Sequence, residues 1–338
     1  MRMTLTVETE GMAEVAAAYR RELTAHCYRM LGSVQDAEDA VQETMLRAWR
    51  AGAGFEGRSS VRVWLYRIAT NVCLRALERR ARLPLPSGLG APARDGDVAT
   101  VRGDGEAFWL EPVPDAVLGG VADGGAQAEG GAPDPGSAAV TRASVRLAFV
   151  SALQHLPARQ RAALILRDVY AFSARETAEI LETSVAGANS ALQRARSQMA
   201  TVAPDEDEVR EPASPELRRQ VERYLHAFER SDISGLTEIL REDVRLEMPP
   251  MRTWFHGAAA VERFLAGRVA VEGRRVRMVP VAANGQPGFA SFLLGADGAW
   301  SAHAIHVLEP TPSGLARICV FLNPALFEIF GLTAPPGR

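Results

Sequence analysis

The sequence contains no lysine: all 38 basic residues are arginine. Every cation is therefore a planar guanidinium fork, a shape suited to phosphates and base edges. Cysteine is scarce, with Cys27, Cys73 and Cys319 far apart, odd in number and without a CxxC pair. That spacing argues against a disulfide framework or a zinc site, and leaves three small buried hydrophobes as the expectation. No run approaches the ~20 apolar residues that a membrane span needs. The first residues lack the basic, apolar, small-residue pattern of a secretory signal, so a cytoplasmic location is expected. Neither a cofactor nor a metal is expected.

What is present is ordinary in amount and uneven in place. Apolar residues make up 47% of the 338, enough to build cores. The net charge of −3 conceals alternating segments. Residues 1–81 hold 12 Arg against 10 acids, and residues 141–200 hold 8 against 4. Between them, residues 82–140 hold 3 against 9, and residues 201–338 hold 15 against 18. Two mildly basic segments flank an acidic one, which is where nucleic-acid contacts are first sought.

Composition divides the chain into five parts. Residues 14–82 are rich in helix formers. Residues 83–139 turn to Gly, Pro, Ala and Asp, with the tract GGVADGGAQAEGGAPDPG, and read as a flexible acidic linker. Helical patterning returns over 140–200, a second short linker covers 201–215, and residues 216–332 pass from helical to alternating apolar runs that read as strands. The fold class expected is multidomain: two all-α domains followed by an α+β domain.

In GSVQDAEDAVQETMLRAWR, Val34, Ala37, Val41, Met45 and Ala48 repeat at helical spacing and should face a core. Asp36, Asp39 and Glu43 make an acidic face, which reads either as a solvated surface or as a docking surface for a basic partner. The next helix, from about Val61 to Arg80, should bury Val61, Leu65, Ile68, Val72 and Ala76. On its other side Trp64, Arg67, Asn71 and Arg75 align, a set able to stack on bases, bind phosphate and hydrogen-bond. A core role for Trp64 is the alternative.

Residues 144–199 hold three helical segments. Ser173 stands three residues before Glu176, a capping box, and Ser184 is the expected N-cap of a longer Arg-bearing helix. A short helix, a turn and a longer helix make a helix-turn-helix. In that frame Val185, Ala186, Asn189, Ser190 and Gln193 face base edges, and Arg175, Arg194 and Arg196 face phosphates. An ordinary helical hairpin is the plainer reading. Two positions depart from the usual pattern: Glu182 in the turn, and Gly187 inside the second helix.

The stretches YRRELTAHCYRMLGSVQDAEDAVQETMLRAW and FEGRSSVRVWLYRIATNVCLRALERR resemble conserved region 2 of extracytoplasmic-function (ECF) sigma factors. LPARQRAALILRDVYAFSARETAEILETSVAGANSALQRAR resembles region 4 of the same family. The resemblance implies that Asp36, Glu38, Asp39, Gln42 and Glu43 bind the β′ clamp of bacterial RNA polymerase core, alongside β-subunit contacts. It implies that Trp64, Arg67, Asn71 and Arg75 read the −10 element, while the loop with Phe55, Arg58 and Ser59 captures a flipped base. Residues 173–196, with Ser184 among the contacts, would read the −35 element of promoter DNA.

Residues 216–332 resemble the SnoaL-like branch of the NTF2-like fold, through EDVRLEMPPM, TWFHGAAAVERFL and the strand pairs. Such cones enclose small-ligand pockets. Met248, Met251, Trp254, His256, Phe292, His303 and Phe321 are the candidate lining, and their alternative role is core. The ending FLNPALFEIFGL echoes an Asn-Pro motif of sigma factors that carry this appendage, the sigma-G-like group among them. Asn323, Pro324, Leu326 and Phe327 are the interdomain candidates by that analogy. The reading that follows is a sigma factor with no chemistry of its own, regulated in cis by its C-terminal domain. A conventional DNA-binding regulator would leave the acidic helix unexplained, and an isomerase or hydrolase would need an acid–base pair that Glu247 and His303 do not supply.

Overall fold

The computed structural model describes residues 18–51, 55, 57, 59–79, 83–93, 108–118, 143–202, 214–269 and 273–333. The chain divides into two compact units. One comprises residues 1–83 and 115–204, the other 84–114 and 205–338.

The first unit is helical. α1 (Arg20–Leu31) buries Leu23, Cys27, Met30 and Leu31. It stops at Gly32, whose φ of +72° suits glycine and whose N–H donates to the Tyr28 carbonyl at 2.7 Å. α2 (Val34–Ala51) presents Val34, Ala37, Val41 and Ala48 inward, as its spacing predicts. α3 (Val61–Arg79) packs against both. After the linker come α4 (Asp115–Leu118), α5 (Leu147–Gln154) and α6 (Ala158–Leu164), the last prolonged by a wider turn over Ile165–Val169. α7 (Ala174–Ile180) opens on the expected capping box. Ser173 Oγ accepts from Glu176 N–H at 3.2 Å and Glu176 Oε2 accepts from Ser173 N–H at 2.7 Å. α8 (Val185–Val202) follows after a tight turn.

The two helical parts expected from composition both lie in the first compact unit. Aromatic residues bring them together. Tyr66 of α3 lies 5.0 Å from Tyr170 and 4.9 Å from Phe172, ring centre to ring centre. Arg62 stacks over Phe172 at 4.3 Å while donating twice to Glu22 at 3.1 and 2.5 Å. Two buried arginines cross between the parts. Arg29 of α1 donates to Ser144 Oγ at 2.8 Å and to Tyr170 Oη at 2.7 Å. Arg161 of α6 donates to the carbonyl of Met30, at the end of α1, and to Gln154 Oε1 at 2.7 Å. A cation on a helix's last carbonyls also complements its dipole.

The second unit is α+β. Its long first helix, α9 (Pro215–Glu229), starts where Ser214 Oγ accepts from Leu217 N–H, with Pro at the first helical position. α10 (Ile233–Thr237) is capped by Asp232. The strands are β1 (Leu240–Glu247), β2 (Trp254–His256), β3 (Val276–Ala283), β4 (Gln286–Leu294), β5 (Trp300–Thr311) and β6 (Gly314–Phe321). They form one sheet in the order β2-β1-β6-β5-β4-β3, antiparallel except for β1 beside β6. α11 (Ala258–Arg268) lies between β2 and β3, and α12 (Leu326–Ile329) follows β6. The core joins Tyr224 and Phe228 of α9, Phe264 of α11, and Leu246, Phe289, Leu308 and Ile318 of the sheet.

The linker is not uniformly loose. Residues 84–93 and 108–114 belong to the second unit and hydrogen-bond to its sheet. Trp254 Nε1 donates to the Gly90 carbonyl at 2.9 Å, and Ala93 N–H donates to the Trp254 carbonyl at 2.8 Å. Val113 and Asn284 exchange two bonds of 2.9 Å, beside a Pro114–Ala283 bridge. Leu85, Trp109, Leu110 and Val113 are buried. These apolar residues, spaced within a polar tract, supply the burial that composition alone hides. The glycine-rich tract lies outside the described residues.

Candidate functional site

On α2, Glu38, Asp39 and Gln42 are exposed, while Asp36 and Glu43 are half-buried. Glu43 pairs with Arg47 at 2.6 Å. Beside this acidic row stand Leu46 and Trp49, 49% and 56% exposed. Large apolar side chains are thus exposed next to carboxylates on one face of α2. The periodicity did not single out either residue.

α3 departs from expectation. Trp64 is buried, 6% exposed, with its ring 5.0 Å from that of Phe55. Ile68, expected in the core, is half-buried. The reason is packing on two sides: α1 and α2 cover one face and α6 and α7 another, so a single stripe does not describe the helix. Arg67 and Asn71 are half-buried and Arg75 is exposed. Asn71 Nδ2 donates to Glu182 Oε1 at 3.2 Å. Asn71, Leu74, Arg75, Glu78, Ala158 and Arg159 line a cleft of about 290 Å³. Ser59 is half-buried, and Arg58 lies outside the described residues.

The turn between α7 and α8 is sharp because Glu182 adopts a φ of +51°. Ser184 caps α8 through Gly187 N–H at 3.1 Å. Glycine at 187 has a steric reason, since a Cβ there would meet Thr183 Oγ1 at 2.7 Å. Val185, Ala186, Asn189, Ser190, Gln193 and Arg194 are exposed along one side of α8, while Ala188, Ala191, Leu192 and Ala195 are buried on the other. Arg175 is also exposed. Arg196 differs: its guanidinium is held by Asp168 at 2.9 and 2.6 Å, so it is engaged within the domain.

In the second unit the seven pocket candidates differ in burial and contacts. Met248 belongs to the apolar core, with Met251 packed against it. Phe292 and Phe321 are buried. Trp254 is engaged by the linker, His256 is exposed and His303 is half-buried. A buried polar group that sequence reasoning did not single out is His306. Tyr224 Oη donates to His306 Nδ1 at 2.9 Å, and His306 Nε2 donates to Ser291 Oγ at 3.1 Å, which donates on to the Ala304 carbonyl at 3.2 Å. Burial, followed by the nearby His303 and Arg274, pushes His306 down to about 3, so the ring is neutral. A bulge in β5 opposite Ser291 and Phe292 leaves His303 as the extra residue, so simple alternation does not tell which histidine of β5 faces inward.

Glu247, fully buried, accepts from Arg317 at 2.6 Å and from Ser87 N–H of the linker at 2.8 Å. Burial and this carboxylate push the Cys319 thiol well up, which makes it a poor nucleophile. Of the interdomain candidates, Asn323 and Pro324 are half-buried and exposed, and Leu326 is buried. Phe327 packs its ring 5.0 Å from Phe292 of its own sheet, so it is committed there. Among the described residues no cluster of metal-ligating side chains occurs and no helix is long and apolar enough to cross a membrane.

Comparison with known proteins agrees with this geometry. Residues 15–83 match Sigma-70 region 2, residues 146–199 match Sigma-70 region 4, and residues 221–315 match the SnoaL-like domain. The chain is 46% identical over 318 residues to the ECF RNA polymerase sigma factor SigG of Mycobacterium tuberculosis, covering 93% of this chain and 82% of that one. It is 29% identical over 262 residues to SigJ of the same organism, covering 75% and 71%. The crystal structure of SigJ superposes with a TM-score of 0.59 at 24% identity, over 95% of this chain and 99% of that one, and shows the same fold. With Sigma-70 regions 2 and 4 both matched and a SnoaL-like domain behind them, the chain belongs to the ECF RNA polymerase sigma factors.

Proposed function

We propose that the chain docks on bacterial core polymerase through the outward side of α2, reads −10 promoter DNA with the Asn71–Arg75 side of α3, and reads −35 DNA with α8. The observation that carries this is the exposed row Val185, Ala186, Asn189, Ser190, Gln193 and Arg194. It is a polar and small-residue face on a capped helix after a tight turn, the form that enters a major groove. The acidic row of α2 with Leu46 and Trp49 supports polymerase docking, and the exposure of Arg175 and Arg194 supports phosphate contacts.

The packing of α3 against α6 and α7 supports a closed resting state. Asn71 is held by Glu182, so reading the −10 element requires the two helical parts to separate. The linker's hydrogen bonds to the SnoaL-like sheet support regulation in cis, because that sheet then holds the segment joining the two readers. The small-ligand reading of the cone has no such support, as Met248 and Trp254 are already engaged.

The test is in-vitro transcription with purified core polymerase on a fragmented genomic library. The full chain should start transcripts downstream of a shared pair of motifs. Glu38→Arg with Asp39→Arg should lower transcript yield and core association more than ten-fold without lowering the melting temperature. Transcription that is unaffected by this pair would refute docking through α2.

A further inference from the structure

The second unit carries a basic cleft that neither DNA reading nor cis regulation uses. It lies where the end of α9, the segment entering β3 and the start of β5 meet. Its volume is about 320 Å³, and its lining is Glu229, Arg230, Arg274, Arg275, Val276, Arg277 and Trp300. Four arginines against one carboxylate is notable in a segment, residues 201–338, whose acids outnumber its arginines by 18 to 15.

Two of the four cations are held by contacts of their own. Arg274 is half-buried, donates to the Arg268 carbonyl and lies over the Phe228 ring at 5.9 Å. Arg277 stacks on Trp300 at 5.1 Å. Glu229 does not neutralise them freely, since its Oε1 accepts from Met278 N–H at 2.8 Å. Burial, then the charge of Arg268, lowers the Arg274 pKa. Arg230 and Arg275, both exposed, stand at the rim.

Guanidinium forks lining one cleft offer paired N–H donors that suit phosphate oxygens. The volume is at the small end of ligand sites, roughly 300–1,000 Å³. Trp300 adds an aromatic surface at the same place. We propose that this cleft binds a phosphate ester, held by Arg230, Arg274 and Arg275 with Arg277 and Trp300 beside them. The phosphate comes either from a free nucleotide or from a nucleic-acid backbone. The site is separate from α2, α3 and α8, so it stands whether or not the promoter reading does.

The experiment titrates the full chain with inorganic pyrophosphate, with ATP and with a 20-base-pair duplex of unrelated sequence, following binding by calorimetry across a salt series. The comparison is Arg230→Gln with Arg275→Gln, rim substitutions that should leave the circular dichroism and melting temperature unchanged. Trp300→Leu is the second variant. Pyrophosphate or ATP binding that weakens at least ten-fold in the double variant supports the site with a free phosphate as its source. Duplex binding alone, with a salt slope smaller by about 1 to 2 in the double variant, supports it with the backbone as the source. Wild type and double variant behaving alike towards all three probes, or no binding of any, overturns the proposal.

Discussion

Glu182 occupies the turn between α7 and α8 at a φ of +51°, a conformation that costs a residue with a Cβ about 1 kcal/mol. Its side chain recovers part of that cost by accepting from Asn71, an exposed bond worth a few tenths. Glu182→Gly should therefore stabilise the helical unit by about 0.5 kcal/mol and free Asn71. Urea unfolding of the two proteins at pH 7 measures it, and a lower midpoint in the glycine variant would contradict it. Some residue roles were legible in the sequence: the Ser173–Glu176 box and the Ser184 cap obey a spacing rule and are formed as the rule states. His306 was not legible, because the bulge at His303 shifts the strand register and only pairing reveals it. Arg196 was not legible either, since its partner Asp168 is 28 residues away in sequence.

At the scale of elements, periodicity located the helices that bury one face and misjudged the helix that buries two. α2 has one apolar stripe and matches its expectation, whereas α3 hides Trp64 because α6 and α7 cover the side expected to face DNA. The four later strands fell where the alternating runs placed them, bounded by turn residues. Composition conveys the linker's acidity but not the order of residues 84–93 and 108–114, where isolated apolar side chains find a sheet. Arg161 ties α6 to the end of α1 through neutral oxygens, those of Met30, Gln154 and Leu156, and burial lowers its pKa to about 10. Arg161→Ala strands those carbonyls and should cost about 2 kcal/mol. Hydrogen exchange at the last turn of α1 should quicken before that of α2. Equal acceleration along the whole unit would show that the arginine acts on packing in general, with no local capping role.

Across the whole molecule, each unit contains one deeply buried histidine. His26 in the first, hydrogen-bonded to Thr70 at 3.0 Å, is lowered to about 3 by burial and then Arg29, and His306 in the second is lowered to about 3. Both are neutral when folded and refuse a proton that the unfolded chain accepts near pH 6.5. Their contribution is complete above that pH and declines as pH falls towards 3. The slope is about 1.4 kcal/mol per pH unit for each histidine once below 6.5. Going from pH 7 to pH 5 should therefore cost each unit about 2 kcal/mol. Protection of α1 and of β5 in hydrogen exchange reports the two separately, and unchanged protection at pH 5 would contradict the assignment.

The chain enters the second unit at residue 84, returns to the first at residue 115, and leaves it for good after residue 204. The SnoaL-like sheet thus grips the middle of the loop that connects Sigma-70 regions 2 and 4, the proposed readers, as well as following them in sequence. Loop-closure entropy varies only with the logarithm of length, about 0.6 kcal/mol for each doubling. Releasing the gripped segment can therefore alter the balance between closed and separated readers by no more than about three-fold through slack alone. A change in transcription larger than this, when the sheet lets go, must come from contacts, not from the length of the tether.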